Sequence, residues 1–132
     1  MTTKEMSAAE HAQTARDFLV ASDREFEAGD HLQGSEKLYG AATQAIIALC
    51  QQRGWRYKSH RAMQQAVDAL SREYGDPLLI GGYSAANRFH ENFFHDHLED
   101  YEVESQRPAV HHFVSRLLAL LDSESVNSER RQ

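Results

Sequence analysis

The chain has 132 residues with two prolines, a single cysteine and a net charge of −6. That length fits one domain able to bury a core without metals or disulfides, and the lone Cys50 excludes both an internal disulfide and a zinc-binding pair, so a cytoplasmic setting is the expectation. The acidic balance argues against a broad, non-specific grip on nucleic acid, which needs phosphates neutralised over a whole face, but it leaves room for a small local site.

Ser7 followed by Glu10 reads as a capping box, and Ala8, Ala12, Ala15, Leu19 and Phe26 then step along one helical face as far as Gly29. A second helix is predicted from near Asp30 to Arg53, with Leu32, Leu38, Tyr39, Ala42, Ala45, Ile46 and Leu49 inward and Gly54 as its stop. Gly34, Gly40, Ala41 and Ala48 line another side of this helix, where a neighbour can approach closely. Ser59 caps a third helix that carries Met63, Ala66, Val67, Leu70 and Tyr74 and ends at Gly75-Asp76-Pro77. The fourth spans about Leu78 to Glu99, with Gly81-Gly82 loosening or delaying its start. A fifth begins near Ser105 or Pro108 and carries Val110, Phe113, Val114, Leu117, Leu118 and Leu121. Residues 1–122 thus form one domain, and residues 123–132, poor in apolar side chains, are expected to be a disordered tail.

No stretch alternates apolar and polar at period two, so the fold class is all-α: an antiparallel up-down four-helix bundle with a fifth C-terminal helix packed across it. No apolar run approaches the roughly 18–20 residues that cross a bilayer, and the polar N-terminus lacks a signal-peptide hydrophobic region, so no membrane association is expected.

Arg53-Gly54-Trp55-Arg56-Tyr57-Lys58-Ser59-His60-Arg61 holds four fixed positive charges and no carboxylate, and it feeds a helix start. Free backbone N–H groups there favour an anion, Arg and Lys strengthen a phosphate contact, and Trp55 or Tyr57 offers a surface for a base. A plainer reading stands beside it. From Glu91 to Glu104 there are six carboxylates and no Lys or Arg. In an up-down arrangement of the first four helices this acidic run shares a pole with the basic loop, so the two segments would pair and Trp55 would be a core plug.

The fourth helix is rich in histidine. Leu79, Tyr83, Ala86, His90, Phe93 and His97 form one stripe, and Leu78, Ile80, Phe89, Phe94 and Leu98 widen the apolar arc to around 200°, broad enough for the bundle and a second subunit. His90 falls among apolar residues, as a hydrogen-bonded core histidine or a ligand contact. Arg88, Glu91 and His95 share the opposite face, either as a solvated stripe or as an Arg and a His able to work on one phosphodiester. Although the chain has eight histidines, no two stand at i and i+4, and nucleophilic triads and glycine-rich phosphate loops are absent. Neither a metal nor a cofactor is expected.

Taken in order, Ser35-Glu36-Lys37-Leu38-Tyr39-Gly40-Ala41-Ala42, the Ser59-His60-Arg61 helix start and Phe89-His90-Glu91-Asn92-Phe93-Phe94 resemble the PaREP (paralogous repetitive-element) group of small archaeal and bacterial proteins, related to HEPN (higher eukaryotes and prokaryotes nucleotide-binding) domains. The similarity covers about residues 12–120. It implies an antiparallel helical bundle, often homodimeric, acting as a nucleotide- or RNA-associated binding module with His90 and Asn92 as pocket or polar core residues. Two alternatives come with it. One is a metal-independent, toxin-like ribonuclease, in which His95 assists proton transfer at an RNA 2′-hydroxyl and Arg88 stabilises phosphate charge. The other is a docking partner of a nucleotidyltransferase.

Overall fold

The computed structural model describes residues 5–131, and side chains within 5–127. The described residues form five helices and no strand: α1 (Ala8–Glu27), α2 (His31–Arg53), α3 (His60–Tyr74), α4 (Leu78–His95) and α5 (Asp100–Arg131). Local chemistry sets most of the boundaries. Ser7 Oγ accepts from the Glu10 N–H while the Glu10 carboxylate accepts from the Ser7 N–H, each at 3.1 Å, closing the capping box of α1. Asp30 and Ser59 cap α2 and α3 more simply, their side chains accepting from the Gln33 and Ala62 N–H groups. Gly54, at φ 71°, takes the left-handed conformation that ends α2.

Three ends differ from expectation. α4 stops at His95, because Asp96 turns left-handed (φ 47°) and the Asn92 side chain accepts the N–H groups of His97 and Leu98, each at 2.8 Å. His97 therefore lies outside the α4 stripe. α5 starts at Asp100, well before Pro108, which falls inside the helix. Val103 is buried on one side of that proline and Val110 and Phe113 on the other, so packing carries the helix through a residue that removes a backbone donor. Its C-terminal turns continue past Asp122, where Glu124 is bound by side chains of α2 and α3.

α2 is the central helix, in contact with each of the other four. α1 runs antiparallel to it: His11 meets Gln44, the Ser22 hydroxyl donates to the Gly34 carbonyl (2.8 Å), and the Gln51 amide donates to the Met6 carbonyl. The small residues of α2 permit this approach, since a Cβ on Gly34 would stand 2.8 Å from the Phe26 ring and one on Gly40 3.2 Å from Phe18. α4 and α5 are likewise antiparallel, with Arg88 against Glu102 and Gly82 against Phe113. α5 runs parallel to α2, from the His31–Asp100 pair to Arg53–Glu124.

Gly82 does not loosen α4. It is buried, and its missing side chain is what lets α5 close: a Cβ there would sit 2.6 Å from the Cβ of Phe113. Gly82→Ala should lower stability by about 1–3 kcal/mol, the usual range for overpacking a filled core, whereas exposed Gly81, with nothing within 4 Å, should tolerate alanine or gain slightly. Urea denaturation of the two variants checks this.

The shortest helix, α3, meets α2 and α4. Its start touches α4, where His60 stacks beside Tyr83, and its end reaches the close of α2, where Arg53 meets Tyr74. α4 then departs from this same end of α2. The basic loop and the acidic run therefore lie at opposite ends of α2, separated by about 33 Å of helix at ~1.5 Å per residue.

Candidate functional site

The helix stop at Gly54 fixes where the basic loop begins. The Gly54 N–H bonds to the Gln51 carbonyl and the Trp55 N–H to the Cys50 carbonyl (2.8 Å), a double closure that turns the chain off α2 with Trp55 at the turn. The Tyr57 hydroxyl, which donates to Glu5 (2.7 Å) and accepts from Gln51 (3.3 Å), fastens the far side of the loop to α2 and the residues before α1. Ser59 then caps α3 through the Ala62 N–H (3.0 Å).

Between these fixed points lies a cleft of about 400 Å³ lined by Trp55, Arg56, Tyr57, Lys58, Ser59 and Ala62. A second cleft, about 250 Å³, adjoins it along α3 and shares Trp55, Arg56 and Ala62, adding Gln65, Ala66 and Ala69. Arg56, Lys58 and Arg61 are exposed and form no ion pair with any described residue. The acidic run does not neutralise them: its pairs among the described residues are Glu102 with Arg88 (2.8 Å) and Asp100 with His31 (3.3 Å). Aromatic walls, a small-residue floor and unpaired cations at the rim suit an anionic ligand with a flat apolar part.

Arg53 differs from its neighbours. Its guanidinium binds Glu124 of α5 and Glu73 of α3, contacts the Tyr74 hydroxyl (3.3 Å), and lies 4.6 Å over the centre of the Trp55 ring. Of the loop residues singled out from sequence, Trp55 to Ser59 share one cleft, Arg61 stands at the head of α3, and His60 turns to Tyr83 (3.4 Å). Gln65 and Ala69 escaped notice, and Ala66 reads from sequence only as an inward residue of the third helix. They share a helical face with Ala62 at spacings of three, four and seven, so periodicity held the signal.

His90 and Asn92 occupy the α2–α4 contact near the opposite end. Asn92 is 1% exposed; its amide donates to Ser35 Oγ (3.0 Å), and Ser35 in turn donates to the His31 carbonyl (2.6 Å). His90 is half-buried, stacked on Tyr39 with ring centres 4.0 Å apart, edge-on to Phe94, and bound through Nδ1 to Glu36 (3.1 Å). The two segments Ser35–Ala42 and Phe89–Phe94 thus meet face to face. Burial, with the nearby Glu36 carboxylate, raises the Tyr39 hydroxyl above its ordinary value, and burial pushes Tyr83 up to about 12. Both phenols therefore stay protonated near neutrality.

Arg88 and His95 share the outward face of α4, with about 10 Å of helix rise between them. Arg88 is engaged by Glu102, whose carboxyl is held low first by the Glu99 N–H and further by Arg88, while His95 is exposed in the last turn. Among the described residues no group of three or more His, Cys, Asp or Glu side chains is placed to hold a metal, and no helix is long and apolar enough to cross a membrane. Burial lifts the Cys50 thiol to about 11, against a smaller opposing influence of Arg53, so it stays a protonated core residue.

No curated protein and no solved structure matches the chain. The profile of the archaeal PaREP1/PaREP8 family matches residues 10–114, which takes in most of α1, all of α2 to α4, the basic loop and the Ser35–Asn92 contact. The chain belongs to that family.

Proposed function

We propose that this protein is a nucleotide- or RNA-binding module whose site is the cleft between α2 and α3. The observation that carries the reading is the cleft itself, where Trp55 and Tyr57 stand beside Arg56 and Lys58, two cations that no described carboxylate neutralises, with Arg61 at the head of the adjoining α3. Phosphates would lie against Arg56, Lys58 and Arg61, and a base against Trp55. In this reading α1, α2, α4 and α5 form a HEPN-like up-down bundle, with α3 across its end, that pairs as a homodimer. The opposed directions of α1 and α2 and of α4 and α5 support the first part, and exposed Leu78, Ile80 and Phe94 support the second.

Trp55 is the chain's only tryptophan, so emission excited selectively at tryptophan reports on the cleft. Titration with AMP and with a short single-stranded oligouridylate should quench it saturably, and Trp55→Ala should weaken oligouridylate binding, followed by anisotropy of a labelled strand, by about 1–3 kcal/mol, the worth of one stacked base. A wild-type protein whose emission is indifferent to both ligands, with no anisotropy change, overturns the reading.

A further inference from the structure

We propose that Arg53 and Glu124 form a latch that positions Trp55 in the cleft, so that the C-terminal turns of α5 control ligand binding without touching the ligand. The inference rests on the binding reading above for its consequence, though not for the latch itself.

The geometry begins with the Arg53 side chain, only 16% exposed in the ion pair although it lies beside an open loop. One face of the guanidinium covers the Trp55 ring at 4.6 Å from its centre. Its edge is spent on carboxylates: Glu124 through both Nε and Nη2, and Glu73 through Nη2. Glu124, itself 19% exposed, also accepts from the Tyr74 hydroxyl (2.7 Å) and the Gln52 amide (3.3 Å), while the Gln52 amide donates to the Leu121 carbonyl (3.2 Å). Residues from α2 and α3 thus converge on one carboxylate of α5. A guanidinium whose Nε and Nη2 donors are taken up in this way keeps only Nη1 for a phosphate, and its stacked face fixes where the indole can stand.

Removing the latch should free Trp55 to move away from the cleft wall. Burial alone would push the Glu124 carboxyl up, but the hydrogen bonds from Arg53 and Tyr74 and the charge of Arg53 outweigh it and hold it below its ordinary value. The carboxylate is thus charged near neutrality. Glu124→Gln removes that charge at nearly constant size, and Arg53→Lys keeps a charge but lacks the flat stacking surface.

The test uses both variants at a temperature well below their unfolding midpoints, with far-UV circular dichroism to show that the helices remain. Acrylamide quenching of ligand-free Trp55 should rise in each, and oligouridylate affinity should fall by about three- to tenfold, the scale of a lost cation–aromatic contact. The slope of log affinity against log salt should stay as in the wild type. A direct phosphate contact by Arg53 would instead leave Arg53→Glu with a slope about 0.7 smaller, and Glu124→Gln with unchanged quenching. That pair of results overturns the latch, as does unchanged quenching in both original variants, which reduces the network to a stabilising role. If the wild type binds no oligouridylate the binding reading falls, and the quenching result still decides whether Arg53 and Glu124 hold the indole.

Discussion

Asn92→Ala should lower the unfolding free energy by about 2–4 kcal/mol, which for a domain of this size is a fall in melting temperature of about 10 °C. The expectation follows from what one buried amide does. Its Nδ2 donates to Ser35 Oγ, and its Oδ1 accepts from the N–H groups of both His97 and Leu98. Alanine would leave those two backbone donors without their acceptor and break the only described side-chain bond from this position to α2. It would also open a small void in a site that is 1% exposed. Ser35→Ala, which removes only one partner, should cost about 1 kcal/mol. Urea denaturation at equal slope measures both. A loss below about 0.5 kcal/mol for Asn92→Ala, the scale of an ordinary surface change, would mean that the amide is not holding the α4–α5 connection to α2.

Reversing two charges at the other end should weaken binding and leave stability almost unchanged. Arg56→Glu with Lys58→Glu is expected to weaken oligouridylate by on the order of 100-fold at low salt, since two charge-assisted phosphate contacts of roughly 1.5 kcal/mol each are lost. The wild type, with Arg56 and Lys58 at the cleft and Arg61 at the head of α3, should show a slope of log affinity against log salt of about −2. Losing two should bring the slope to about −0.7 or shallower. Because both side chains are exposed and form no described ion pair, the unfolding free energy should move by no more than about 0.5 kcal/mol. Unchanged affinity in the double variant would remove the basic loop as the site, whatever else the protein binds.

The two experiments probe opposite ends of one helix, and that separation differs from the sequence reading. Treating the first four helices as one antiparallel set puts the acidic run beside the basic loop and makes mutual neutralisation the simplest account of both. In the structure the loop's ion pairs go to Glu73 and Glu124, and Asp100 of the acidic run meets His31 at the start of α2. Short connections bounded the alternatives without choosing among them. The six residues between α2 and α3 and the three between α3 and α4 allow α3 to lie along the bundle or across its end, and its 15 residues fit either placement.

What the residues determined alone are features whose physics acts within about four positions of chain. The capping box at Ser7 and Glu10, the Asp30 and Ser59 caps, the glycine stop at Gly54 and the absence of strands all rest on contacts between near neighbours or on helical period. So does the gathering of Trp55 to Ser59 in one turn. The end of α4 was hidden because Asn92 closes it with a side chain whose other hydrogen bond goes to α2, 57 positions earlier. Gly82 read as a helix weakener for the same reason: its value appears only when Phe113 stands where its Cβ would be. Arg53 and Trp55 were legible as a cation beside an aromatic. That Arg53 is taken up by a carboxylate 71 positions away, leaving its neighbours to meet a ligand, was decided by the tertiary fold. Partner choice among distant side chains depends on which helix faces lie together, and no local preference encodes that.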